Sequence, residues 1–175
     1  MDTKHLVAKT FVKSPSDILT FWFEECRPWQ WFRQDSQFDH CIREQFGQLA
    51  KAAQAEDLVE WESNQHSALA LVLLLDQFSR QIWRNQARAY SGDQHAQRLS
   101  QQAIDQHWLE SEPQRARRQF WLMPLLHAEC LETVETSIPL LERWVDDATA
   151  DVARRNRRML LNHGRYPWRD GALGR

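Results

Sequence analysis

Helix breakers and sheet formers are both scarce in this chain. Its 175 residues include five glycines and six prolines, and β-branched residues are thinly spread. A turn-rich β-fold needs alternating β-branched and aromatic runs, and no such alternation occurs. There is no glycine-rich loop to cradle phosphates and no G-x-S-x-G turn to present a nucleophilic serine. The three cysteines, Cys26, Cys41 and Cys130, are widely separated. An odd, unpaired set gives neither a disulfide framework nor a thiolate zinc site, and fits a reduced, cytoplasmic protein. His66, His95, His107, His127 and His163 show no ligand spacing, so no metal and no other cofactor is expected. The longest apolar run, residues 68–75, is too short to cross a bilayer. The first residues lack the apolar stretch of a secretion signal. A net charge of −2 exerts no strong pull on nucleic acid or on a membrane surface, so neither is an expected partner.

What the chain does have is helix formers, with Gln, Ala, Leu, Arg and Glu dominant. Ser14 and Pro15 form an N-cap and first-turn proline for a helix through Ile18, Leu19, Phe21, Trp22 and Phe23, broken at Arg27-Pro28. Asp35 or Ser36 opens a second helix, whose stripe is Phe38, Cys41, Ile42, Phe46, Leu49, Ala50 and Ala53. Ser63 or Asn64 opens a third, from residue 65 to about 78. It is apolar nearly all round, which marks it as the buried central helix. Ser91 with Gln94, and Ser111 with Gln114, read as capping boxes. Pro124 kinks or restarts a helix that continues to Leu131. Another covers about 138–146, with Pro139 in its first turn, and the last spans about 150–163, stopped by Gly164. The pattern predicts one all-α domain over 1–175, with about seven helices packed as antiparallel pairs. Residues 1–13 are expected to be a loosely ordered start, and 164–175 a non-helical tail packed on the helices. The nine tryptophans suit core anchors or pocket walls.

Three segments stand out together: LALVLLLDQFSRQIWR at 69–84, FWLMPLLHAE at 120–129 and GRYPWRDGALGR at 164–175, with FWF at 21–23 and WF at 31–32. They resemble the DUF924 family, a mostly bacterial family of unknown function assigned to the TPR-like helical superfamily. The resemblance runs from about residue 17 to 175. It implies a TPR-like helical bundle and supplies no reaction. Ser79 stands where the family usually has Pro, and Trp168-Arg169-Asp170 where it usually has His-Arg-Asn.

The candidate chemistry lies beside those segments. Asp76, Arg80 and Arg84 are spaced four apart and share a helix face, with Gln77 adjacent. They read either as an intrahelical ion pair, acid before base, or as a carboxylate and guanidiniums emerging from the core to orient an anion. His127 and Glu129, if on one helix, diverge by about 200°, so each joins a different neighbour. His127 faces Asp76 or Arg80, or is a satisfied core histidine. In the tail, Arg165 and Arg169 either strap it to acidic helix positions or close the cleft. Arg154, Arg155, Arg157 and Arg158 read as a solvated helix surface, as do Arg115, Arg117 and Arg118. Cys130 reads as inert packing in a helix. The leading expectation is a binding protein whose polar cleft gathers Asp76, Gln77, Arg80, Arg84, His127, Glu129, Arg165 and Arg169 around a small anion, a carboxylate-bearing metabolite or a peptide end. The alternatives are a hydrolase-like enzyme with Asp76 or Glu129 as base and His127 as acid, and a TPR-like scaffold for a protein partner.

Overall fold

The computed structural model describes residues 13–175, so the expected loose start at 1–13 lies almost wholly outside them. The fold is all-helical, 78% helix with no strand among the described residues. Helix α1 (Pro15–Thr20) starts at a capping box in which Ser14 and Asp17 exchange side-chain and backbone hydrogen bonds. It runs on as a π-helical turn, Phe21–Glu25, ended by extended Cys26. After a 3-10 turn at Pro28–Gln30 comes α2 (Ser36–Gln54). The Asp35 carboxylate caps it by accepting from the amides of Gln37 and Phe38. Next come a second 3-10 turn, Val59–Ser63, and α3 (Gln65–Val72), capped by Asn64. The rod then passes without a break through a π turn, Leu73–Phe78, into α4 (Ser79–Ile82). Every residue from Ser67 to Ser79 is buried, which makes this the central helix.

A 3-10 turn at Ala87–Tyr90 leads to α5 (Asp93–Asp105), followed by α6 (Trp108–Ser111), α7 (Arg115–Leu126), α8 (Leu131–Trp144) and α9 (Asp147–His163). The chain closes with a 3-10 turn, Pro167–Arg169, and α10 (Asp170–Leu173). With α3 and α4 taken as one rod, there are about nine helices rather than seven. The single turns α6 and α10 are too short to show a periodicity.

The rod is flanked by α2, α5 and α7, and α7, α8 and α9 follow one another as packed neighbours. Aromatic rings fill the space around the rod. Trp22 meets Phe78 at 5.2 Å and Phe120 at 5.5 Å, and Phe46 meets Phe78 at 5.1 Å. Such tilted and edge-on contacts add to the area the rings bury. The indole of Trp31 donates to the Trp22 carbonyl at 2.9 Å, fixing the 28–32 loop over the core. No helix of the described residues is long and apolar enough to cross a membrane.

Several boundaries differ from the sequence expectation. Neither serine capping box forms. Ser91 donates its hydroxyl back to the Arg88 carbonyl, and α5 starts from Gly92. Ser111 ends α6 rather than starting α7. Helix α7 contains Pro124 and stops at Leu126, so residues 127–130 form a loop and not a continuing helix. Helix α8 begins earlier than expected, with Pro139 inside it. The tail is not irregular. Pro167 opens a turn at its first position, and Gly174, with φ +68°, terminates α10. Both residues act as start and stop signals rather than as breakers.

Candidate functional site

The π turn carries the first component. Its C-terminal hydrogen bond runs from the Ser79 amide to the Leu74 carbonyl, which also accepts from the Ser79 hydroxyl at 2.8 Å. The wider turn holds Asp76 and Gln77 where the rod approaches the end of α7. Asp76 is only 1% exposed, and its carboxylate is fully engaged. Arg80 Nη1 lies 3.0 Å from Oδ1, His127 Nδ1 lies 2.9 Å from Oδ1, and the Gln77 amide donates to Oδ2. Burial is the largest influence on this carboxyl and pushes its pKa up. Arg80, His127 and the hydrogen bonds from His127 and Gln77 outweigh it and hold the group well below the ordinary carboxylate range.

A second buried acid, Asp93, enters from the first turn of α5. It takes Arg80 at 2.9 Å and Arg169 at 3.1 Å, so two guanidiniums share one carboxylate. Arg169 Nη2 also donates to the His127 carbonyl at 2.7 Å. The Arg169 guanidinium lies 4.5 Å from the ring centre of Tyr90 and 5.0 Å from that of Tyr166. Burial, with Arg80 nearby, lowers its basicity, while Asp93, Glu129 and Tyr90 oppose that shift. Arg84 is held separately by a bidentate pair with buried Asp39, at 2.7 and 2.8 Å.

These groups border a cleft of about 430 Å³ between α4, the end of α7, α9 and the C-terminal turns. That volume is within the range of small-molecule sites. Its walls carry the guanidiniums of Arg80, Arg84 and Arg169 and the imidazole of His127, joined by Tyr90 and Asn156, and no Asp or Glu lines it. The three acids Asp39, Asp76 and Asp93 lie buried behind the guanidiniums. An ionised Asp76 can only accept, so His127 Nδ1 carries the proton, and Nε2 has no protein partner among the described residues. Trp168 stacks on Tyr166 at 4.6 Å and stands 57% exposed at the rim.

Of the residues singled out from sequence, Asp76, Arg80, Arg84, His127 and Arg169 come together here. Gln77 supports Asp76 and lines a smaller adjoining pocket. Glu129 and Arg165 do not line the cleft. Glu129 sits in the loop after α7, accepts from the Tyr166 amide at 2.7 Å and pairs with Arg175. Arg165 turns to Asp170, at 2.9 Å. The expected divergence of His127 and Glu129 assumed a shared helix that does not exist; the loop separates them instead. Sequence reasoning missed Asp39, Asp93, Tyr90 and Tyr166. Asp39 did leave a signal, because it occupies a helix position in step with Ile42 and Phe46, where an acid is out of place.

Two of the four arginines in the basic run of α9 are paired with acids on the surface. Arg154 pairs with Asp151 and Glu142, and Arg157 with Glu135 at 2.7 Å. Cys130 is not packed in a helix. It is exposed at the N-cap of α8, because α7 has already ended. No group of three or more His, Cys, Asp or Glu placed to hold a metal occurs among the described residues.

Residues 18–175 match the family described as bacterial protein of unknown function, DUF924. The solved structure of a protein of unknown function from Agrobacterium tumefaciens is similar, with a TM-score of 0.84 and 30% identity, covering 92% of this chain and 90% of that one. No curated protein matches the chain.

Proposed function

The chain belongs to the DUF924 family, and we propose that it binds a small anion, such as a carboxylate-bearing metabolite or a peptide end, in the cleft walled by Arg80, Arg84, Arg169 and His127. The observation that carries this reading is the separation of charge. Guanidiniums and an imidazole line the cleft without any carboxylate, while their counter-ions lie buried behind them. Buried acids pre-organise the arginines, so little side-chain entropy remains to be lost when an anion arrives. A cleft of small-molecule size bordered by perturbed titratable groups also favours a small ligand over an extended scaffold groove. Consecutive packing of α7, α8 and α9 supports the TPR-like description, and three free cysteines support a cytoplasmic setting.

The test is calorimetric titration at low ionic strength with acetate and with inorganic phosphate. Binding should be saturable and should weaken with added salt. It should fall at least tenfold in Asp39→Asn/Arg84→Gln, which removes one charge pair without stranding a buried acid. Binding that ignores both salt and this variant would be binding elsewhere.

The Asp76–His127 contact supports a second reading, a hydrolase-like activity. Asp76 is too enclosed to reach a substrate, and Glu129 is engaged by Tyr166 and Arg175. The base would then be His127 Nε2, oriented by Asp76 and accepting a proton from water. Turnover of an anionic ester that is abolished in His127→Gln and reduced in Asp76→Asn would establish it.

A further inference from the structure

His127 stands where three hollows meet. The polar cleft shares Leu126, His127 and Val152 with a second hollow of about 430 Å³. A smaller one of about 170 Å³ shares Arg80, Arg84 and His127 with the first, and Phe32, Met123 and His127 with the second. The guanidiniums and the second hollow therefore lie on either side of His127. That hollow is of different character. Its walls are chiefly Phe32, Met123, Leu126, Ala148 and Val152. Its one acid, Asp146, is occupied in capping α9 through the Thr149 amide at 2.8 Å and in pairing with Arg115 at 3.1 Å. A carboxylate there disfavours a second anion, so an anionic group belongs at the arginine end. Phe32 is 58% exposed at the junction, with its ring stacked on Phe120 at 6.2 Å, so an apolar surface is open to a ligand there.

We infer that the ligand is a monocarboxylate with a medium-length apolar chain, its head on Arg80 and Arg84 and its chain running past His127 over Phe32 and Met123 into the apolar hollow. The inference rests on the anion-binding reading above. Charge balance favours a single negative charge. Each guanidinium of the cleft is already matched by one buried acid, since Arg84 has Asp39 while Arg80 and Arg169 share Asp76 and Asp93. With the guanidiniums so matched, the cleft carries no large excess of positive charge, and a single carboxylate demands less compensation there than a phosphate dianion. The apolar hollow then supplies affinity in proportion to the area of chain it takes from water.

The experiment is a calorimetric series of butanoate, hexanoate, octanoate and decanoate, with octanamide and inorganic phosphate as controls. Affinity should rise roughly three- to fourfold per added methylene until the hollow is full, and octanamide should bind at least tenfold more weakly than octanoate. Ala148→Phe places a ring in the hollow from an exposed position in the first turn of α9. It should abolish the gain in affinity with chain length. Phe32→Ser, at an exposed loop position, should weaken octanoate several-fold by a separate route. Phosphate binding accompanied by flat or absent alkanoate binding overturns this inference and leaves the anion site standing. Failure of phosphate and every alkanoate to bind removes the anion site and this inference together. Octanamide binding as tightly as octanoate removes the role of the arginines.

Discussion

His127 Nδ1 lies 2.9 Å from Asp76 Oδ1, across fifty-one residues of chain, and this contact decides which ring nitrogen serves the cleft. The acid is buried and ionised, so it accepts the Nδ1 proton and leaves Nε2 free. The same acid holds Arg80 at 3.0 Å. One buried carboxylate thereby orients both a guanidinium and the imidazole of the cleft, and its removal should affect both at once.

That acid should leave a signature in acid stability. Its folded pKa is depressed, because Arg80, His127 and the Gln77 amide together overcome burial. A depressed carboxyl contributes stability that is fully present above its unfolded value, about 3.9, and lost as pH falls through the folded value. Asp76→Asn should therefore cost about 3 kcal/mol at pH 7, as expected for breaking a buried pair. The gap between wild type and variant should narrow below about pH 4. Urea unfolding at pH 7, 5 and 3 measures it. A gap of equal size at all three would contradict the assignment.

Gly92 offers a test of packing that no charge enters. Its φ of −88° is open to any residue. A β-carbon there, however, would lie 2.8 Å from the Leu75 carbonyl oxygen and 3.0 Å from the Leu75 side chain. Gly92→Ala should destabilise by about 1–3 kcal/mol through overpacking, seen as a lower urea midpoint with an unchanged slope. Because Asp93 is the next residue, the same shift should disturb its pairs with Arg80 and Arg169. A neutral result would mean that α5 can retreat from the rod at little cost.

How far the sequence foretold this arrangement depended on the range of each interaction. The caps at Ser14, Asp35 and Asn64 are bonds to backbone two or three residues away, so local pattern was enough. The central rod was legible because its apolar residues surround the helix axis. Asp76 with Arg80 followed from helical spacing. The partners that complete the site were not legible in this way. Nothing local says that Arg84 will choose Asp39, forty-five residues back, or that Arg169 will cross to Asp93, seventy-six residues back. Arg165 illustrates the converse. Its acid, Asp170, lies five residues on, and a tail read as irregular gave no reason to expect the turns that join them. Ser91 failed as a cap because its hydroxyl had a nearer acceptor in Arg88.

The cysteines should divide sharply by reactivity. Burial, with Glu25 and Cys41 nearby, pushes the Cys26 thiol up to about 12, so almost no thiolate exists at neutral pH. Cys130 is exposed, and hydrogen bonds from the Thr133 side chain and amide at the start of α8 lower its pKa. Ellman's reagent at pH 7.5 should therefore show a fast phase that Cys130→Ser removes. Cys26 should react only when the protein unfolds. A fast phase that survives Cys130→Ser would place the reactive thiol elsewhere.

The Asp76–Arg80 pair can be separated into its structural and binding parts by a double-mutant cycle. Arg80→Gln alone leaves Asp76 buried without a guanidinium partner, and frees half of Asp93. Asp76→Asn alone leaves Arg80 and Arg169 competing for Asp93, with like charges close together. Each single variant thus strands a charge, and each should destabilise by more than the pair itself contributes. Asp76→Asn/Arg80→Gln removes both charges while keeping shape and most hydrogen-bonding capacity. Its loss of stability should be smaller than the sum of the single losses by about 1–3 kcal/mol, the coupling range for residues in one network. Binding should behave differently. Anion affinity should fall in Arg80→Gln and should not return in the double variant, since restoring neutrality does not restore the guanidinium. If stability is recovered and binding is not, the pair serves the cleft. If anion binding recovers along with stability, Arg80 acts only as a counter-ion, and the head-group site reduces to Arg84, Arg169 and His127.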